Sequence, residues 1–321
     1  MPTKTLVIAL LEILVTYSDE QHILTRPQII NLLADQYQID IERRTLYNNI
    51  ELLIQCGYDI SKYEDNQKGY YLQTRQFEKS EVNLLCNLIH SSHIIPQNDS
   101  NALIDKLLKT QSRYETKRFK DSVYSHNLRK SGNRQFFLNI ELINEAIEKQ
   151  QAINFIYTHY SLNKHRVPRR DKPYVAAPYA VVYSDDNYYM ICKHFNHDNF
   201  THYRIDKMQD IKLDSNKTIQ LKNELEPYEY AKTKIYMYGG ENQIIHLRCD
   251  NKIIDDVIDK FGINTMINPD DDKHFIATVN STEEGIIYWS LQYLKHVSIV
   301  APESIKEQFK TILTNGLKQY Q

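Results

Sequence analysis

Residues 42–53 read ERRTLYNNIELL, and the spacing of the apolar residues within this stretch decides the fold of the amino-terminal part of the chain. Leu46, Ile50 and Leu53 recur at i, i+4 and i+7, the spacing that places side chains on one face of a helix. We therefore predict a helix over 41–56 that buries this face against a core. Its polar residues then point outward.

Two further helices are predicted before this one. Apolar residues recur at helical spacing between residues 3 and 17, and Thr25 is placed to cap a second helix that ends near Tyr37. Asp40 is placed to cap the helix over 41–56, and Gly57 is placed to end it.

A β-hairpin is predicted after the third helix. Residues 58–63 and 70–73 are rich in residues that favour strands, and they flank the turn-forming sequence EDNQKG at 64–69. Three helices followed by a hairpin are the elements of a winged helix-turn-helix. We assign this fold to residues 1–73, called the head below.

The outward face of the third helix has the chemistry of a DNA reader. Guanidinium and amide groups there can form paired hydrogen bonds with purine edges in the major groove, while hydroxyl groups and lysines bind phosphates. The residues predicted to contact duplex DNA are Arg43, Arg44, Thr45, Tyr47 and Asn48 on the helix and Lys62 and Lys68 on the hairpin. The alternative is a solvated helix in a winged helix that binds protein.

Charge is distributed unevenly along the chain, although the net charge is only −2. Residues 1–73 hold six Lys and Arg against ten Asp and Glu, whereas residues 74–135 hold eleven against six. We therefore expect the head alone to bind DNA weakly, and to depend on its local arginine pair and on the basic segment that follows.

The rest of the sequence indicates an α+β multidomain protein. Apolar residues at helical spacing continue through 74–135, short strand-like runs separated by turns fill 136–214, and strands alternate with helices in 241–321. These patterns predict a helical connector, a small β barrel and a carboxy-terminal α+β domain, in that order, with 215–240 as a linker.

Composition argues against several classes of protein. Hydrophobic residues make up 41% and charged residues 25% of the chain, and no apolar run reaches the roughly 20 residues of a membrane span. The four cysteines are widely spaced, which favours a reducing cytoplasm over a disulfide framework or a zinc site. Because phosphate loops, nucleophile elbows and paired metal-ligand motifs are missing, we expect no enzyme activity, no metal and no cofactor.

The head resembles a known family. The sequences RTLYNNIELLIQCGYDI at 44–60 and GYYL at 69–72 are similar to the winged helix of WYL-domain transcriptional regulators. That family usually has an Arg-Asp pair where this chain has Asn48 and Asn49. Asparagine still pairs well with adenine, but the base preference of the family does not transfer to this chain.

Later stretches resemble the same family. APYAVVY at 177–183, NYYMI at 187–191 and YRIDKM at 203–208 are similar to successive strands of the WYL domain, whose naming tripeptide appears here as YYM. YWSLQYLK at 288–295 and VSIVAPES at 297–304 resemble the carboxy-terminal WCX extension of these regulators. The resemblance thus covers nearly the whole chain and implies that the central barrel is SH3/Sm-like.

Strand alternation predicts which face of the barrel is open. If Tyr188 and Met190 face the core, Tyr189 faces the other side, together with Arg204 of a neighbouring strand. The resemblance implies that a ligand or nucleic acid is sensed at this surface, by Tyr157, Tyr189, Lys193, His194, His202 and Arg204. The alternative is that Arg204 pairs with Asp206 as ordinary surface structure. A loop at 159–172 ranks second as an anion site, with Lys164, Arg166, Arg169 and Arg170.

These observations together predict a DNA-binding transcriptional regulator whose WYL domain senses a small-molecule, nucleotide or nucleic-acid ligand. Two winged helices related by a twofold axis would read a palindromic site, so we expect a homodimer. The alternative is a protein that binds single-stranded nucleic acid or RNA through the barrel and uses the winged helix as a protein contact.

Overall fold

The computed structural model describes residues 3–123, 130–218 and 226–321. Contacts between residues divide the chain into two compact units, residues 1–132 and residues 133–321. Each unit has its own core, and helices and antiparallel sheets occur together, so the chain is an α+β protein.

The described residues of the head form three long helices, one four-residue helix and a small sheet. Its elements are α1 (Thr3–Tyr17), α2 (Arg26–Tyr37), α3 (Arg43–Gln55), β1 (Ile60–Ser61), α4 (Tyr63–Asn66) and β2 (Tyr71–Leu72). The predicted cap at Thr25 is confirmed, with its backbone N–H donating to Gln28 Oε1 at 2.8 Å. The cap of α3 is Glu42 instead of the predicted Asp40. The predicted turn at 64–69 contains α4, because the Asp65 carboxylate accepts from the Lys62 backbone N–H at 2.8 Å and supports a helical turn.

The core of the head contains the predicted face of α3. Leu46, Ile50 and Leu53 are buried and pack in one cluster with apolar residues of α1 and α2. At Gly69 the chain passes so close to Leu24 that an added Cβ would lie 2.2 Å from the Leu24 carbonyl oxygen. This approach lets Leu24 and Tyr70 exchange two backbone hydrogen bonds, at 2.9 and 2.8 Å, which tie the small sheet to the segment before α2.

Among the described residues of the first unit, three more helices follow: α5 (Lys79–Ser91), α6 (Gln97–Leu108) and α7 (Arg113–Val123). Polar contacts join them to the head. Ser112 Oγ donates to the buried Asp19 carboxylate at 2.6 Å, and the Arg75 guanidinium donates to the carbonyls of Val15, Ser18 and Thr110. The head and the connector therefore pack as one unit.

The second unit begins with α8 (Phe136–Glu148) and a six-stranded antiparallel sheet. The strands are β3 (Gln151–Tyr160), β4 (Arg166–Pro168), β5 (Tyr174–Ser184), β6 (Asn187–His194), β7 (His197–Arg204) and β8 (Met208–Thr218). The order is β4-β3-β5-β6-β7, and β8 also pairs with β3. Asn139 of α8 donates to the Met208 carbonyl at 2.9 Å, which fixes the helix against the end of the sheet.

The stretch predicted as a linker contributes to this fold. Part of it belongs to β8, residues 219–225 lie outside the described residues, and α9 (Pro227–Thr233) with a following turn covers β5 and β6. Ala231 and Met237 pack there against Val182, Tyr189 and Ile191. The segment over 227–237 is therefore a structural cover for the sheet.

The remaining residues form a four-stranded antiparallel sheet with three helices. The elements are β9 (Asn242–Asp250), α10 (Ile254–Phe261), β10 (Met266–Asp271), β11 (His274–Thr282), α11 (Glu283–Gln292), β12 (Val297–Ala301) and α12 (Glu303–Lys318), with strand order β10-β11-β9-β12. Trp289, the single tryptophan, is buried in the core between sheet and helices. Over the part of the chain that the structure describes, no helix is both long enough and apolar enough to cross a membrane.

Candidate functional site

The amino-terminal half of α3 presents an exposed polar surface. Arg43, Arg44 and Asn48 are exposed, as the sequence predicts. Thr45 is half-buried, and its backbone carbonyl accepts from the buried Asn49 side chain at 2.7 Å. Of the two adjacent asparagines, therefore, only Asn48 is free to face a partner.

Tyr47 is half-buried and packs within the head. Its ring meets the Tyr70 ring edge-on, with centroids 6.4 Å apart, and the Arg26 guanidinium lies 5.3 Å from the Tyr47 ring centroid. Arg26 also lies 6.0 Å from the ring of Tyr63. Sequence reasoning missed Arg26, because its position in the first turn of α2 carries no sign that it approaches α3.

The two wing lysines differ in their surroundings. Lys62 Nζ lies 3.0 Å from Glu51 Oε1, and this hydrogen bond raises the pKa of Lys62. Glu51 lies on the same face of α3 as Arg44 and Asn48, seven and three residues after them. The ion pair with Lys62 therefore neutralises a carboxylate that would repel phosphates at this face. Lys68 is exposed, in the turn before β2.

A second candidate site is a group of four cationic side chains around one buried carboxylate. Arg204 donates from Nε and Nη2 to the two oxygens of Asp206, both at 3.0 Å, so the pairing considered as an alternative is present. Arg166 Nη2 lies 3.7 Å from the same carboxylate. The Asp206 side chain is only 5% exposed, which makes it an interior anion.

Two further cations lie close to this pair. Burial and, after it, the positive charges of Arg204, Arg166 and Arg169 lower the pKa of Lys207. We call Arg166, Arg169, Arg204 and Lys207, with Asp206, the cationic cluster. Because this group contains four cations and one carboxylate, an anion bound here would relieve the mutual repulsion of the cations.

Two tyrosines border the cationic cluster. The register pairs Tyr189 with Arg204 across β6 and β7, and the Tyr157 hydroxyl accepts from the Arg204 backbone N–H at 3.3 Å. Burial raises the pKa of both Tyr157 and Tyr189, so the hydroxyls stay protonated and can donate to an anion. The predicted group of Tyr157, Tyr189 and Arg204 is therefore brought together.

The other three predicted ligand residues lie elsewhere. His202 shares the face of Tyr189, but it lies under the cover at 227–237, and Lys193 Nζ lies 4.7 Å from the Phe200 ring centroid. His194 contacts Val175 and Tyr203 instead. The expectation that this whole face is open was wrong, because a segment about thirty residues later in sequence covers part of it.

The loop ranked second contributes more than expected. Strand β4 pairs with β3, and this pairing carries Arg166 and Arg169 to the cationic cluster, while Arg170 stacks on Tyr174 at 3.5 Å. Lys164 is exposed in the loop before β4. Lys207 was not predicted, although it directly follows Asp206 in the strand-end sequence YRIDKM.

The partners of His202 fix its tautomer. Nδ1 donates to the Met237 carbonyl at 3.0 Å, and the Tyr230 hydroxyl donates to Nε2 at 2.9 Å. Burial and, to a smaller extent, the charge of Lys234 lower the pKa of His202 against the opposing effect of the Met237 carbonyl, and together these effects lower it to about 4. His202 is therefore neutral in the folded protein near pH 7.

We expect the second unit to lose stability as pH falls from 6.5 toward 4. The pKa of His202 is lower in the folded state than its ordinary 6.5, so the unfolded state takes up the proton first. The free energy of unfolding should fall by at most about 3 kcal/mol, because each unit of difference in pKa corresponds to about 1.36 kcal/mol. Urea unfolding followed by Trp289 fluorescence measures it. His202→Gln should unfold with less dependence on pH over this range, and an unchanged pH dependence would contradict the assignment.

Within residues 3–123, 130–218 and 226–321, no three His, Cys, Asp or Glu side chains come together as a metal site requires. The side chains at both candidate sites include cations and hydrogen-bond donors, groups that can bind phosphates and base edges.

Two solved structures are similar over most of the chain: proteasome accessory factor B/C (PafBC) of Arthrobacter aurescens and a CRISPR Cas-related protein. PafBC is 16% identical with a TM-score of 0.29, and the alignment covers 99% of this chain and 48% of PafBC. The second protein is 14% identical with a TM-score of 0.36, and the alignment covers 91% of this chain and 77% of that protein. This chain thus spans about half the length of PafBC.

Among curated proteins, none matches this sequence. A family model of the WYL domain matches residues 139–213, from α8 to β8, and this range contains the cationic cluster. The chain therefore contains a WYL domain at residues 139–213.

Proposed function

We propose that this protein is a DNA-binding transcriptional regulator whose head is a winged helix-turn-helix and whose WYL domain binds an anionic effector. The observation that carries the proposal is the surface of α3. This helix buries Leu46, Ile50 and Leu53 and turns Arg43, Arg44 and Asn48 outward at its amino-terminal half. A helix-turn-helix inserts this part of its recognition helix into the major groove.

The wing and the connector supply phosphate contacts in this proposal. Lys68 is exposed next to β2, and Arg26 borders α3 through its stacking on Tyr47. The basic connector packs on the head through Arg75, which donates to the carbonyls of Val15 and Ser18, and through Ser112. This packing supports a joint electrostatic surface for the backbone of DNA.

The cationic cluster is the proposed effector site. Its guanidinium groups match phosphate oxygens, and the hydroxyl-bearing Tyr157 and Tyr189 border it, so a nucleotide or a nucleic-acid strand fits better than a neutral metabolite. An effector acts only by binding one arrangement of the protein better than the other. The proposed homodimer supplies two such arrangements, and the proposed setting is the cytoplasm.

The proposal keeps the domain limits predicted from the sequence, with one change. The winged helix is 1–73, the connector 74–135, the WYL domain 136–214 and the carboxy-terminal WCX-like domain 241–321. Residues 227–237 join the WYL domain as its cover.

Retention of nucleic acid by the full chain tests the proposal. We expect the protein to retain duplex fragments of its own genome in a mobility-shift experiment, with an affinity that falls steeply as salt is raised. A protein that retains single strands but no duplex at low salt would instead be the alternative, a single-strand or RNA binder that uses the cationic cluster directly.

The effector arm of the test uses Arg169→Gln, since Arg169 is exposed and its loss leaves the Asp206 pair intact. A short oligodeoxynucleotide should change duplex retention by the wild-type protein and have a weaker effect on this variant. Lys318→Gln, an exposed change in α12, is the matched control. Equal responses in both variants would remove the cationic cluster from the proposal.

A further inference from the structure

The second unit contains a cleft on the face of the sheet opposite to Tyr189 and His202. Its volume is about 590 Å³, within the range of roughly 300–1,000 Å³ typical of small-molecule sites. Arg170, Tyr174, His194, Phe195, Tyr203 and Lys217 line it. We call it the Arg170 cleft.

Arg170 is held in a fixed position at the cleft. Its guanidinium lies 3.5 Å from the centroid of the Tyr174 ring, and it donates to the carbonyls of Lys172 at 2.9 Å and Pro173 at 2.8 Å. A guanidinium that lies over one ring can present its other side for stacking by a second planar group. Its remaining N–H groups can donate to an oxyanion at the same time.

A histidine and a tyrosine form another wall of the cleft. His194 Nδ1 donates to the Val175 carbonyl at 2.9 Å, and a hydrogen bond of 2.9 Å joins His194 Nε2 and the Tyr203 hydroxyl. Tyr203 is buried, and burial raises the pKa of its hydroxyl well above the ordinary value. The wall therefore consists of an aromatic ring and an imidazole with defined hydrogen-bond directions.

The cleft is lined by two cationic side chains, Arg170 and Lys217. Lys217 Nζ lies 5.0 Å from the centroid of the exposed Phe195 ring, and Arg170 is the second cation. Among the described residues that line the cleft, none carries a carboxylate. Two cations beside several aromatic rings suit a ligand that combines a planar ring with a negative charge.

The cleft is separate from the cationic cluster. Arg169 and Arg170 are consecutive, yet Arg169 acts electrostatically on Lys207, whereas Arg170 lies on Tyr174. Tyr157 and Tyr203 touch edge-on between the two sites, with ring centroids 4.9 Å apart. A ligand in the cleft thus leaves Arg204 and Asp206 unoccupied.

We propose that the Arg170 cleft is a second ligand site and that it binds a nucleoside monophosphate. The base stacks on the outer face of the Arg170 guanidinium, and the phosphate is held by Arg170 and Lys217. This site stands on its own observations and does not require that the protein bind duplex DNA.

Calorimetric titration of the full chain with AMP, GMP, CMP and UMP, each in turn, tests the proposal. We expect saturable binding of at least one of these nucleotides. The nucleoside of that nucleotide (adenosine in the case of AMP) and inorganic phosphate should each bind at least tenfold more weakly than the nucleotide does. Inorganic phosphate that binds as tightly as the nucleotide, or no saturable binding of any of the four, overturns the proposal.

Two single changes locate the site. Arg170→Gln should weaken binding at least tenfold, whereas Lys318→Gln, an exposed change in α12, should leave it unchanged. Circular dichroism checks that each variant is folded, and Arg204→Gln reports separately on the cationic cluster. If Arg204→Gln weakens binding as much as Arg170→Gln does, the nucleotide occupies the cationic cluster and the cleft proposal is wrong. Loss of duplex retention alone, with nucleotide binding intact, would affect only the proposed function.

Discussion

Replacing Arg44 and Asn48 together with alanine is expected to weaken specific duplex binding by at least about 30-fold. A paired hydrogen bond to a base edge contributes about 1–3 kcal/mol of discrimination, so two such residues contribute at least about 2 kcal/mol together. Both side chains are exposed, and the core face of α3 is made by Leu46, Ile50 and Leu53 instead. The loss should therefore appear in affinity and not in folding.

A matched control lies on the same helix. Gln55→Ala alters an exposed polar residue at the carboxy-terminal end of α3, away from the proposed groove. Mobility shifts on a retained genomic fragment compare the affinities of the double variant and the Gln55→Ala protein. Circular dichroism checks that both are folded. If the double variant binds the fragment as tightly as the Gln55→Ala protein, α3 does not read DNA.

Replacing Asp206 with alanine is expected to destabilise the second unit by about 3 kcal/mol. Removal of one partner of a buried ion pair leaves the other charges without compensation, which typically costs about 3–5 kcal/mol. The side chains of Arg166 and Arg204 are 15% and 26% exposed, and partial hydration places the effect at the lower end of that range. Lys207, already crowded by positive charge, adds to the repulsion.

Urea unfolding followed by Trp289 fluorescence measures this effect, because Trp289 is buried in the same unit. Asp259→Ala removes a carboxylate from an exposed position in α10 and should change the free energy of unfolding by less than about 0.5 kcal/mol. Equal stability of the Asp206→Ala and Asp259→Ala proteins would show that the carboxylate does not hold the cationic cluster together.

Local sequence patterns predicted the helices of the head well. The helical spacing of Leu46, Ile50 and Leu53 predicts which face of α3 is buried. Gly57, with a φ of 95°, ends the helix as expected. Such features depend on neighbours within one or two turns. The short helix α4 was missed because the sequence at 64–69 has the composition of a turn, and the capping contact from Asp65 cannot be distinguished from turn chemistry in the sequence alone.

The ligand surface was predicted less completely, since alternation along a strand says which residues share a face and not what covers that face. Tyr189 and Arg204 do lie opposite each other, as the strand pattern implies. The contact of His202 with Tyr230 joins residues 28 positions apart. The approach of Arg166 to Asp206 joins residues 40 positions apart. The periodicity of apolar residues along the sequence predicts neither contact. The cationic cluster and the cover at 227–237 can therefore be recognised only in the three-dimensional structure.

The cover at 227–237 has a consequence for where the WYL domain ends as a folding unit. The family match stops at residue 213, but Tyr189 and Ile191 owe part of their burial to Ala231 and Met237, which lie beyond it. A fragment cut at the limit of the match would present this aromatic and aliphatic strand face to water, a surface prone to self-association. The length over which a family is recognisable and the length needed for a soluble, independently folding piece are thus different quantities in this chain.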